Sequence, residues 1–244
     1  MLSLVAFKKE LRSHADPVRA KSFERFSKTG KGEYGEGDRF LGIFVPDIRS
    51  LVKKYRDVPI LMVLKLLRSE YNEERLCALL LFVSKFERSK SAVERERVFD
   101  LYLRNTKYIN GWGLVDVTAH KIVGAYLLDK PRDILYRLAN SKRLWDRRIA
   151  IIASWAFIAR GQFDDTLKLS EILLHDPHDL IHKAAGWMLR EVGKKDVRVL
   201  ENFLDQHAAE MPRTMLRYAI EKLLEGDRKK YLNVGRASKE KRRK

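Results

Sequence analysis

An all-α protein is the fold this sequence predicts, and three observations predict it. Apolar residues return at three- and four-residue spacing through most of the chain. Ala, Leu, Lys, Arg and Glu, all good helix formers, dominate the periodic segments. The alternation of a half-buried strand is almost missing.

Taken in order, the period marks helices over residues 3–13, 17–27, 46–55, 59–68, 72–87, 92–104, 112–128, 132–140, 144–160, 164–174, 177–193, 196–206 and 212–225. Several carry readable starts. Asp176 precedes Pro177 as a capping acid followed by proline at the first helical position, and Pro46, Pro131 and Pro212 are placed similarly. Asn72, Asp164 and Asp196 can cap further starts, while Gly161 and Gly193 suit the left-handed conformation that ends a helix. One stretch breaks the pattern: Thr29 to Asp38 holds four glycines in ten residues. It lacks the GxxxxGK[ST] spacing and a preceding strand, which argues against a nucleotide-binding loop and leaves a surface connection or a DNA-contacting loop.

Short helices joined by tight turns predict an α-solenoid of helix pairs, each about forty residues long, as degenerate HEAT-like units. Such a stack curves, and its concave face, here expected to be basic, gathers one helix from each pair. A compact irregular bundle satisfies the same periodicity. Residues 1–233 read as a single repeat domain and 234–244 as a basic, disordered tail.

Charge narrows the partner. Fifty Lys and Arg face 33 Asp and Glu, a formal charge of +17, and removing residues 236–244 with their net five positive charges still leaves +12. A positive field of that size steers polyanions such as nucleic acid. No apolar run reaches the length of a membrane span, and Leu2 to Phe7 is too short for a signal peptide. The lone Cys77 sits in an apolar stretch, reads as a buried structural thiol and fits a reducing, cytoplasmic compartment.

Two segments and a doublet stand out as chemistry. Gly111-Trp112-Gly113-Leu114-Val115-Asp116 puts a ring and a carboxylate one helical turn apart, and in His182-Lys183-Ala184-Ala185-Gly186-Trp187-Met188-Leu189-Arg190 the ring lies between Lys183 and Arg190. Arg147-Arg148 lies between the two segments. Arg213 and Arg217 are likewise a turn apart. Arg147, Arg148, Lys183, Arg190, Arg213 and Arg217 could grip phosphates, which fixes register without reading sequence; an ordinary solvated face is the alternative for each. Trp145 and Trp155 are assigned to packing, although Trp155 follows Arg148 by seven residues and so shares nearly its face. His175, His178 and His182 cluster, but no HExxH glutamate or cysteine pair accompanies them, so no metal site and no cofactor are expected.

The blocks Gly35 to Gly42, Tyr108 to Asp116, Leu144 to Ala150, Asp179 to Glu191 and Met211 to Glu221, in that order, resemble the bacterial AlkD-type DNA alkylation-repair glycosylases, which are built from HEAT-like repeats. The resemblance runs from about Phe23 to Tyr231. It implies a monofunctional, monomeric glycosylase without an obligate protein partner, acting in base excision repair on duplex DNA and excising cationic N3- and N7-alkylated purines such as 3-methyladenine and 7-methylguanine. Many relatives read Asn-Trp-Asp-Leu-Val-Asp where this chain has Gly111 to Asp116.

The chemistry also follows from the residues. An N3- or N7-alkylated purine already carries positive charge and leaves without a strong acid. What remains is to stabilise the sugar cation and deliver water, and one carboxylate does both. Asp116 is the candidate for that role, with Trp112 and Trp187 bracketing the sugar and Arg148 completing the catalytic set; a salt bridge from Asp116 to Arg148 is the structural alternative. A catalytically silent HEAT-like module that binds DNA structure is the other reading of the whole chain, and a scaffold for an acidic protein is a third.

Overall fold

The computed structural model describes residues 3–241, with side chains described through Val234. Among these residues there is no strand, only an isolated bridge between Arg39 and Tyr71. The all-α expectation holds. Helix contacts group the chain into two compact units, Met1–Ile122 and Val123–Lys244.

The first unit holds α1 (Leu4–Arg12), α2 (Pro17–Ser27), α3 (Val45–Lys54), α4 (Ile60–Leu67), α5 (Asn72–Arg88), α6 (Ala92–Arg104) and α7 (Trp112–Val115). Helix α5 is its centre and packs against α3, α4, α6 and α7. Its run from Leu76 to Val83 is buried all round, which a helix covered on every side requires. Cys77 lies there fully buried, and burial, reinforced by Glu74 and Glu73, pushes its thiol well above the usual range. This is the inert thiol its surroundings predicted.

The start of α5 organises the glycine-rich loop. Glu73 accepts hydrogen bonds from the backbone N–H groups of Leu41, Gly42 and Ile43 at 2.9, 2.8 and 3.3 Å. Asp38, at the end of the loop, pairs with Arg75 at 2.6 Å and accepts from the amides of Asn72 and Asn110 at 3.0 and 2.9 Å. The loop is therefore tied down by buried charge. Gly42 has to be glycine: its φ is +74° and a Cβ would meet the Asp16 carbonyl oxygen at 2.2 Å.

The second unit holds α8 (Asp133–Ala139), α9 (Leu144–Ala153), α10 (Trp155–Ile158), α11 (Asp164–Ile172), α12 (Asp179–Lys195), α13 (Val197–His207), α14 (Arg213–Ala219) and α15 (Glu225–Lys241). Helix α12 is central and packs on α9, α10, α11, α13 and α14. Helix α15 covers most of the stretch read as a tail, and residues 242–244 lie outside the described residues.

Two long predicted helices are broken. Residues 112–128 form the single turn α7, a turn over 116–118 and a π-helical turn His120–Gly124. The Thr118 hydroxyl bonds back to the Leu114 carbonyl at 2.6 Å, and a Cβ on Gly124 would meet the Ala153 carbonyl at 2.1 Å, so the backbone there is set by contacts no period reveals. The second break falls at Ser154, whose hydroxyl donates to the Ile151 carbonyl at 2.7 Å. Asp196 caps α13 as expected, accepting from Arg198 and Val199. Helix α12, however, is capped by His178 and not by Asp176. Gly193 ends no helix either: α12 runs on to Lys195, and a Cβ at Gly193 would meet Leu200 at 2.4 Å.

Candidate functional site

The first unit presents Trp112 and Asp116 in the predicted relation. Trp112 opens α7, Asp116 closes it, and the Asp116 N–H donates to the Trp112 carbonyl at 2.9 Å. Both side chains are half-buried. Two further bonds pin this turn: Tyr102 and Thr118 share a hydrogen bond at 3.0 Å beneath it, and the His120 imidazole bonds the Asp116 backbone carbonyl. Burial, with Asp116 adding to it, pushes the Tyr102 phenol above its ordinary range. Around Gly113 a Cβ would meet nothing within 4 Å, so no close contact requires glycine there.

Beside Trp112 lies a cavity of about 330 Å³ whose rings are Phe23, Phe26, Tyr34, Phe40 and Trp112. Phe26 meets Trp112 edge to face, centroids 5.6 Å apart, although 70% of Phe26 is exposed. Asp38, Asn72 and Asn110 form its polar edge. Phe26 carries no local signal of this role, because the contact joins residues on α2 and α7 through space.

His120 has a measurable signature. Burial, with help from Lys121, pushes its imidazole down to about 4, against the hydrogen bond to Asp116. The unfolded ring titrates near ~6.5. Between those values the unfolded chain binds the extra proton, so stability falls as pH drops from about 6.5 to about 4 and levels off below. We expect the NMR shifts of the His120 ring to remain those of a neutral imidazole at pH 5.5. A midpoint near 6.5 would mean the ring does not hold the Asp116 turn.

In the second unit Trp187 is half-buried on α12, donates from Nε1 to Glu191 at 3.2 Å, and meets Trp155 with centroids 5.2 Å apart. Trp155, assigned from sequence to packing, is thus half-exposed beside the functional candidate, whereas Trp145 is buried as expected.

The cations divide into engaged and exposed. Arg147 forms a two-pronged pair with Asp176, at 2.5 and 3.3 Å, and also donates to the Ser141 carbonyl at 2.9 Å. Arg148 is only 5% exposed and donates to the Leu180 carbonyl at 2.5 Å, joining α9 to the first turn of α12. Arg190 pairs with Glu221, and Arg213 donates to the Leu232 carbonyl at 3.0 Å. Lys183 pairs with Asp179 at 2.8 Å across one turn but keeps 40% of its side chain exposed, and Arg217 is exposed. The doublet Arg147-Arg148 therefore serves first to seat α12, which carries Trp187. Of the histidines, His178 accepts from the Leu180 N–H at 3.1 Å and His182 bonds the Asp176 carbonyl at 2.6 Å, each satisfied by backbone. Among the described residues no cluster of His, Cys, Asp and Glu is arranged to hold a metal ion, and no helix is long and apolar enough to cross a membrane.

No curated protein sequence gives a significant match. A solved structure described as a predicted DNA alkylation repair enzyme from Enterococcus faecalis superposes with a TM-score of 0.67 at 18% identity, covering 87% of this chain and 98% of the other. The model of the family described as DNA alkylation repair enzyme matches residues 7–223. The chain belongs to the DNA alkylation repair enzyme family.

Proposed function

We propose that the protein is a DNA glycosylase that hydrolyses the N-glycosidic bond of cationic N3- and N7-alkylated purines in duplex DNA. The observation that carries this reading is the Asp116 carboxylate, held one turn beyond Trp112 by backbone and side-chain bonds in a chain of the DNA alkylation repair family. As the bond from C1′ to the purine breaks, its electrons neutralise the charged base, and positive charge moves to the sugar. Asp116 stabilises that charge and orients the water that attacks C1′. The ring of Trp112 offers apolar and cation–π surface to sugar and lesion, and Trp187, on the second unit, is a candidate for contact with the DNA. Lys183 and Arg217 supply exposed positive charge for backbone phosphates, while Arg147, Arg148, Arg190 and Arg213 hold their helices in place.

Single-turnover reactions with excess protein, on duplexes carrying 7-methylguanine, 3-methyladenine, uracil or hypoxanthine, test this directly. Release of the two cationic bases and not the two neutral ones is the expected result, because nothing in the set supplies an acid for a neutral leaving group. Efficient uracil release would mean that such an acid exists. Inactivity on all four would favour a silent DNA-binding module.

A further inference from the structure

A second cavity, of about 410 Å³, lies in the first unit and shares no lining residue with the aromatic one. Its walls are the Arg56-Asp57 corner after α3, Ile60 at the start of α4, the end of α5 with Lys85, Arg88 and Ser89, and Glu94, Arg97 and Val98 of α6. Four cations thus face two carboxylates. Both acids are already engaged: Asp57 pairs with Arg88 at 2.8 Å and Arg56 at 3.6 Å, and Glu94 accepts from the Ser89 hydroxyl at 2.7 Å.

Lys85 and Arg97 are not so engaged. Among the described residues neither side chain makes a hydrogen bond or an ion pair, yet Lys85 is half-buried. Burial, with Arg88 adding to it, pushes the Lys85 ammonium below its usual range against the attraction of Asp57 and Glu94. A partly desolvated ammonium beside unpaired guanidinium charge is costly unless an anion completes it. Arg supplies a planar fork and Lys a point charge, the combination that suits tetrahedral oxyanions. Ile60 and Val98 leave an apolar wall for an attached organic group.

We propose that this cavity is a phosphate-binding site, separate from the Trp112 and Asp116 site, in which Lys85 and Arg97 are the direct ligands and Arg56 and Arg88 complete the charge. The phosphate is either part of the DNA backbone or carried by a free phosphate compound. The proposal does not depend on glycosylase activity.

The test compares the full-length protein with the double variant Lys85→Met, Arg97→Gln and with a control, Lys90→Gln, Arg104→Gln, that removes equal charge at exposed positions outside the cavity. Methionine keeps the apolar stem of Lys85 and Arg97 is exposed, so folding is preserved; thermal unfolding checks this. Inorganic pyrophosphate is titrated by calorimetry, and a short undamaged duplex is titrated across salt concentrations. For a free phosphate ligand, pyrophosphate binds the wild type saturably and the cavity variant at least about tenfold more weakly, with duplex binding unchanged. For a backbone phosphate, the salt slope of duplex binding falls by about one to two units in the cavity variant and less in the control. If the cavity variant matches the wild type in both titrations, or the control loses as much as the cavity variant, the site does not exist.

Discussion

Asp116→Asn should slow single-turnover release of 7-methylguanine by at least about a hundredfold while leaving duplex affinity nearly unchanged, the magnitude expected when a preorganised charge is removed from a developing cation. Asparagine keeps the size of the side chain. The bonds that shape the turn, from Asp116 N–H to Trp112 and from His120 to the Asp116 carbonyl, both use backbone atoms that the substitution leaves in place. A lower rate would therefore report lost charge and not lost structure. Unchanged release would remove Asp116 from the mechanism.

The second large effect concerns stability. Arg75→Ala should cost about 3–5 kcal/mol in chemical denaturation, because Asp38 would remain buried with its charge unmatched. Arg75 and Asp38 side chains are only 5% and 7% exposed and meet at 2.6 Å. Asp38 also holds the amides of Asn72 and Asn110, and Asn110 stands two residues before Trp112. The loosened loop should lower the rate of base release as well. A loss below about 1 kcal/mol would show that water or another cation replaces Arg75 without strain.

Most helices were legible because they bury an apolar stripe, and the period of that stripe survives without knowledge of what covers it. Asp116 was legible for a related reason: a carboxylate four residues after a tryptophan is a local relation, and α7 keeps it. Breaks in helices were not legible. Thr118 and Ser154 bond back to carbonyls of their own segments, and Gly124 yields to the backbone at Ala153, all within stretches whose apolar pattern continues. Partners distant in sequence were also hidden. Arg147 and Arg148 looked like free positive charge, yet Asp176 and the Leu180 carbonyl engage them from about thirty residues away. Separation in sequence also concealed Trp155 beside Trp187 and, still farther apart, Phe26 against Trp112. The Glu73 and Arg75 charges gave no outward sign of burial, since their ties run to a loop more than thirty residues earlier.

At Gly186 a Cβ would meet the Met215 carbonyl oxygen at 2.4 Å and the Tyr218 Cβ at 2.6 Å. Helix α12 thus lies on α14 with bare backbone at the point of contact. A helix seated so closely cannot roll about its own axis without driving peptide into peptide. The ring of the next residue, Trp187, therefore points where it does because its neighbour has no side chain, and its aim is set from behind.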